Sequence, residues 1–198
     1  MKNLTTTFQH IFANNAWGDS ESVSGPGSTV AATQHLRTQL ENIFKTLNIK
    51  TIVDAPCGDL NWMQHLSYEF DSYIGIDIVP DLVDQLREKF PSKRFQVNNI
   101  VTDVLPLADA IFCRDCLVHL PIDSIKTAIS NFRQAGFKYL MSTTFPKCQA
   151  NKDISAGDWR PINLQIEPFS LVTPVTLVAE TPNAVGHYAD KSIGVWCL

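Results

Sequence analysis

The sequence predicts an α/β fold: a mostly parallel, seven-stranded sheet, preceded by N-terminal helices and finished by a C-terminal antiparallel hairpin. Three observations predict it. Short β-branched or apolar runs alternate with helix-period segments through the middle of the chain, the pattern of parallel strands covered on both faces. One such run ends on Asp54 and enters a turn containing Gly58, and open sheets of this kind bind ligands beyond the carboxyl ends of their strands. The last two strand-like runs have no strong helix between them, so they are expected to pair as a hairpin.

The elements follow in order. Phe8, Ile11 and Phe12 are spaced for a short helix. A Ser- and Gly-rich stretch, Gly18 to Thr29, separates it from the rest. Leu36, Leu40, Ile43, Phe44 and Leu47 then mark one helix face, with Ser28 or Thr29 as the expected cap and Asn48 as the end. Strands are expected at Lys50–Ala55, Tyr73–Ile78, Arg94–Val97, Ala110–Cys113 and Tyr139–Thr143. Helices are expected at Trp62–Leu66, Asp81–Phe90 and Ile122–Gln134. Leu171–Ala179 and Ser192–Leu198 complete the set. The 198 residues suit one domain, with N-terminal helices and a loop over 1–49 and the sheet core over 50–198.

Composition narrows the function. A net charge of −4 disfavours the basic surface that nucleic acid requires. No apolar run reaches membrane-spanning length, and the start MKNLTTTFQH has no secretory core, so a cytoplasmic setting is expected. The five cysteines are odd in number and irregularly spaced, which suggests free thiols. Cys113-x-x-Cys116 has no second pair to complete a zinc site, so no metal is expected.

The chemistry concentrates at two strand ends. The first is Asp54-Ala-Pro56-Cys57-Gly58-Asp59-Leu60-Asn61-Trp62, where glycine permits close approach of a ligand to backbone. The second is Asp77, ending a strand about twenty residues later, where a carboxylate can accept both ribose hydroxyls. Together they indicate a nucleoside cofactor. A dinucleotide would need a Gly-x-Gly-x-x-Gly turn for its pyrophosphate. Here one glycine and Asp59 stand instead, and a carboxylate there repels phosphate but suits the cationic S-adenosyl-L-methionine.

The arrangement resembles the class I, Rossmann-like methyltransferases from about Lys50 to the C-terminus. The family's acidic-x-Gly-x-Gly-x-Gly turn aligns with Asp54, Pro56, Gly58 and Leu60, and only the middle glycine is kept. Asp77 matches the family's ribose-binding acid. Asn98-Asn99 stands where the family often has an Asp bonding the adenine amino group. More narrowly, Trp17, Glu21–Ser28 with its SGPGS run, Asp54–Asp59, Asn61-Trp62 and the Cys113–Leu120 segment resemble a bacterial subset associated with small molecules or surface sugars.

The resemblance implies cofactor contacts at Asp54, Pro56, Gly58, Asp59, Trp62, Asp77, Ile78, Asn98, Asn99 and Arg114. Trp62 also reads as a core residue. Asp115 and His119 fall where the methyl group should emerge, one as base and the other orienting it. Four positions apart, they would share one side of a helix, and the carboxylate would raise the histidine pKa. Trp159, Arg160 and His187 are expected to shape the acceptor pocket. The expected reaction is methyl transfer to a small-molecule or sugar acceptor, at oxygen. An amine acceptor, or a cofactor-binding regulatory protein without turnover, are the alternatives. The Gly18–Thr29 loop, short of apolar anchors, is expected to be mobile until a ligand orders it.

Overall fold

A computed structural model describes residues 3–182 and 185–198. Its strands are β1 Thr51–Asp54, β2 Ser72–Asp77, β3 Arg94–Val97, β4 Ala110–Cys113, β5 Tyr139–Thr144, β6 Thr176–Ala179 and β7 Ser192–Cys197. They form one seven-stranded sheet in the order β3-β2-β1-β4-β5-β7-β6. The first five are parallel. β7 runs antiparallel to both β5 and β6. The strand order reverses between β1 and β4, and the loops leaving these two strands bound a crevice at the carboxyl end of the sheet.

Among the described residues the α-helices are α1 Leu4–Ala13, α2 Gln34–Thr46, α3 Pro80–Lys89 and α4 Ile122–Gln134. Along β1, Ile52 joins the α2 and α3 side chains Leu36, Phe44, Leu82 and Leu86. Its neighbour Val53 joins Ile125, Ile129 and Phe132 of α4 on the other face. Burial on both faces is why the central strands read as unbroken apolar runs. Phe44 and Phe132 are fully buried, and truncating either to alanine should cost about 3–5 kcal/mol.

The structure revises four boundaries. Residues 62–66 form only a 3-10 turn at Met63–His65. The aromatic rings of Tyr68 and Phe70 pack against Phe44 of α2 there. The residue capping α2 is Thr33, not Ser28 or Thr29. Ser28 lies in a separate 3-10 turn, and the Thr33 hydroxyl donates back to the Thr29 carbonyl at 2.9 Å. The sixth strand starts at Thr176 rather than Leu171; Pro174 just ahead of it has no N–H for a ladder. Lastly, Leu117–His119 is a 3-10 turn, separated from α4 by Leu120 and Pro121, so Asp115 and His119 do not share an α-helical face.

Candidate active site

The turn after β1 is held by its own backbone geometry. Gly58 has φ 54°, and a side chain on it would collide with the Ser24 hydroxyl. Leu60 also takes a positive φ, 60°, a conformation that costs a non-glycine residue about 1 kcal/mol or more. Asp54 is buried at the strand end, and the Tyr73 hydroxyl donates to its carboxylate at 2.6 Å. Burial pushes the Asp54 carboxyl up to about 7, against that hydrogen bond, and nearby Asp77 adds to the rise.

Asp77 ties the two strand ends together. It accepts the backbone N–H of Gly58 at 3.2 Å and of Val79 at 3.0 Å. Burial raises its pKa to about 6, while those backbone donors oppose the rise. Asp77 borders a pocket with Pro56, Ile78, Asn98 and Asn99, walled by Ile76, Ile100, Val101, Cys116 and Leu120, and by Leu4 and Phe8 from α1. An ionised carboxylate has about four acceptor sites. Backbone N–H groups of Gly58, Val79 and Ile78 use part of this capacity at Asp77, and the remainder can take a ribose hydroxyl beside apolar walls that suit a purine. These residues fit a nucleoside. Asn99 accepts the Val101 N–H with its side-chain carbonyl. Asn98 donates its amide to the Val104 carbonyl, and its own side-chain carbonyl has no partner among the described residues.

The Ser-Gly loop seals the turn from above. Asp59 accepts the Ser22 hydroxyl and the Val23 N–H, both at 3.0 Å. Glu21 accepts from Val30 N–H and from the Asn61 amide, each at 2.7 Å. The loop meets the turn through hydrogen bonds rather than apolar surface. Asp59 acts in the structure as the loop's strut.

Beyond β4 the electrostatics change. The Arg114 guanidinium is buried and donates to Glu180 at 2.7 Å and to the Gly27 carbonyl at 2.8 Å. Lys191 pairs with Asp115 at 2.5 Å and with Glu180 at 3.2 Å. Two cations thus meet two carboxylates. Asp115 has φ 49° and accepts a bond from Lys191. Burial alone would raise its pKa, but Lys191 and then Arg114 overcome that and hold its carboxyl well below the usual range.

His119 is placed differently. Its Nδ1 lies 2.9 Å from the Asp158 carbonyl oxygen. A carbonyl only accepts, so Nδ1 carries the proton in the neutral ring and Nε2 keeps a lone pair. The Trp17 ring packs beside it, with centroids 5.0 Å apart. Burial lowers the His119 pKa; the Asp158 carbonyl and Asp115 oppose this without reversing it. The expected rise is thus corrected to a fall, because burial of the ring outweighs the pull of Asp115, with Arg160 and Lys191 adding to the lowering.

A family model described as "Methyltransferase domain" matches residues 52–135. The chain resembles magnesium protoporphyrin IX methyltransferase of Synechocystis PCC 6803, solved with bound S-adenosylmethionine. That likeness has a TM-score of 0.66 at 13% identity and covers 100% of this chain and 98% of that one. It also resembles the N-methyltransferase NodS of Bradyrhizobium japonicum WM9 in complex with S-adenosyl-L-homocysteine. There the TM-score is 0.65 at 14% identity, over 96% and 97% of the two chains. No curated protein matches in sequence. At such identities the structural likeness speaks for the fold, and the domain match speaks for the chemistry. Residues 52–135 thus match a methyltransferase domain, on a fold shared with Rossmann-like S-adenosylmethionine-dependent methyltransferases.

Both of these neighbours were solved with S-adenosylmethionine or its demethylated product bound. Pro56, Asp77, Ile78, Asn98 and Asn99 come together around one pocket. Asp54 and Gly58 build the adjoining turn. Trp62 is buried against Phe112 at 5.9 Å, with the Arg114 guanidinium 5.4 Å above its ring. Arg160 is buried and donates to the carbonyls of Leu117, Leu120 and Lys152, which leaves its guanidinium engaged with backbone. Trp159 packs between Phe145 and Tyr188, while His187 is exposed. The sequence reading missed Tyr73, Leu4, Phe8, Glu180 and Lys191. Glu180 and Lys191 had a usable signal: opposite charges flanking the hairpin loop, at the carboxyl end of the sheet. No helix among the described residues is long and apolar enough to cross a membrane.

Proposed function

We propose that this methyltransferase modifies a hydroxyl of a small molecule or sugar, with His119 as general base and Asp115 as a positioning group. The fixed tautomer of His119 carries the reading: Nδ1–H is held by the Asp158 carbonyl, and Nε2 is left to take a proton. When bound, S-adenosylmethionine supplies an electrophilic methyl group on a sulfonium centre. Asp77 holds the ribose, with Ile78 and the Asn98 side chain beside the base. Asp54, Gly58 and Asp59 shape the turn and its loop. Arg114 keeps that loop against the crevice through Gly27 and Ser28. His119 Nε2 would accept the proton of the acceptor hydroxyl.

Asp115 is a weak base because its pKa is so low. Its part is to hold Lys191 and, through charge, to orient the acceptor end of the site. Trp159 with Tyr188 offers an aromatic wall for the acceptor, with Arg160 supporting the segment and His187 at its rim. The five cysteines are free thiols, which suits a single domain working in a bacterial cytoplasm. The net charge of −4 speaks against a nucleic-acid acceptor. A screen of sugars, hydroxy acids and amines for methyl transfer tests the reading. Turnover with a hydroxyl acceptor, lost in His119→Ala, supports it. Turnover with amines alone, retained in His119→Ala, replaces it with N-methylation.

A further inference from the structure

A second cavity, of about 330 Å³, shares no lining residue with the Asp77 pocket. Its volume falls in the range of small-molecule sites, roughly 300–1,000 Å³. It opens where the chain after Trp62 stays irregular: only the 3-10 turn at Met63–His65 is regular before β2 begins. Leu60 and Met63 line it and are buried. Tyr68, Phe70 and Tyr73 supply an aromatic wall. Both tyrosine hydroxyls are already taken by the protein. Tyr68 donates to the Ile49 carbonyl at 2.8 Å, and Tyr73 donates to Asp54 at 2.6 Å. Ring carbon, not free hydroxyl, is thus what the wall offers a ligand. The rings are inclined to one another, with Tyr68 edge-on to Phe70 at 5.0 Å and Phe70 tilted against Tyr73 at 6.5 Å. A further aromatic ring can join such a set edge-to-face.

The exposed part of the lining carries one charge of each sign, Lys93 and Glu69. Lys93 Nζ stands 5.6 Å from the centroid of the Tyr73 ring. Among the described residues neither Lys93 nor Glu69 is in an ion pair. A lone cation over these rings would suit an aromatic anion. A cation and a carboxylate on one cavity, not paired with each other, suit a ligand that brings both opposite charges. We propose that this cavity is a second ligand site, for a small aromatic zwitterion of the amino-acid class. The ligand's ring packs against Phe70, Tyr73 and Met63, its carboxylate meets Lys93, and its ammonium meets Glu69. The site is independent of methyl transfer and of the residues assigned to it at His119.

The test titrates L-tryptophan into the full chain by calorimetry. Indolepropionate and tryptamine, each lacking one of the two charges, and L-alanine, lacking the ring, are the comparisons. Nuclear Overhauser contacts locate the bound indole. Tryptophan should bind saturably at millimolar concentration or below, with contacts to the Phe70 and Tyr73 rings and the Met63 methyl. L-Alanine should show no binding. Each single-charge analogue should bind about fivefold more weakly than tryptophan, the upper range for an exposed ion pair. Lys93→Ala should weaken tryptophan by a similar factor without weakening tryptamine. Glu69→Ala should weaken tryptophan without weakening indolepropionate. Both side chains are exposed, so these variants keep the fold. Excess S-adenosyl-L-homocysteine should not displace tryptophan. Absence of saturable binding, contacts to rings elsewhere, or displacement by S-adenosyl-L-homocysteine would overturn the site. Equal affinity for tryptophan, indolepropionate and tryptamine would overturn the zwitterion as its ligand.

Discussion

Asp77, at the end of β2, and Asp115, just past β4, are both carboxylates at strand ends of one crevice. Burial pushes Asp77 up to about 6, and Asp54 beside it up to about 7. Asp115 is driven the other way by Lys191 and Arg114. The cofactor half therefore carries buried carboxylates without a full complement of cations. The acceptor half balances its charges internally, through Arg114, Asp115, Glu180 and Lys191. On the proposed reading, a cationic ligand with ribose hydroxyls completes the first half, and the second holds a histidine that takes the acceptor's proton.

The largest expected effect lies in the acceptor half. His119→Ala should lower methyl transfer by about 10²–10⁴-fold, the range for a lost general base. Its pKa is lowered, and the base form is the deprotonated one. Activity should therefore rise with pH below the ordinary histidine value of about 6.5 and stay flat above it. A rise centred well above neutrality would assign the base elsewhere.

Next in size is the charge cluster. Glu180→Ala leaves two cations, Arg114 and Lys191, to share the single carboxylate of Asp115 and should destabilise the fold by about 3–5 kcal/mol, measured by denaturant unfolding. A loss below about 1 kcal/mol would make the cluster equivalent to surface ion pairs.

In the cofactor half, Asp77→Ala should weaken S-adenosyl-L-homocysteine binding by about 1–3 kcal/mol. The same carboxylate predicts a pH effect. Ribose hydroxyls favour its charged form, so binding releases a proton. Affinity should be full above about 6 and fall about tenfold by roughly one pH unit lower. Affinity that is constant from pH 5 to 8 would remove Asp77 from the contact.

The smallest effect sharpens the comparison through stability. The folded pKa of Asp54, about 7, exceeds its ordinary 3.8. The folded state thus holds that proton more tightly, a contribution complete below the unfolded pKa and lost as pH rises through the folded one. Asp54→Asn keeps an acceptor for Tyr73 and should stabilise the protein at pH 8 by an amount of order 1 kcal/mol, with less gain at pH 5. Melting curves at both values decide it; a loss at pH 8 would mean that ionised Asp54 is compensated in the fold.

The two halves also differ in how readable they were. β3 and β4 run where their apolar runs suggested, and Asp54 and Asp77 fall at strand ends because local pattern alone places them there. The acceptor half depends on contacts remote in sequence. Glu180 lies 66 residues from Arg114, and Lys191 lies 76 from Asp115, so nothing near Asp115 announced that its charge would be neutralised. The same blindness misdirected the His119 pKa. Trp62 looked like a helix start, but positive φ at Gly58 and Leu60 turns the chain too tightly for a helix to follow. Leu4 and Phe8 were legible as a helix face, though not as a wall of a pocket that α1 reaches only in the folded chain.

The separation of the two halves is most directly tested by one calorimetric series at pH 7.5, titrating S-adenosyl-L-homocysteine into wild type, Asp77→Ala and His119→Ala. The account predicts saturable binding to wild type, a loss of about 1–3 kcal/mol in Asp77→Ala, and affinity in His119→Ala within about twofold of wild type. Equal losses in both variants, or undiminished affinity in Asp77→Ala, would contradict it.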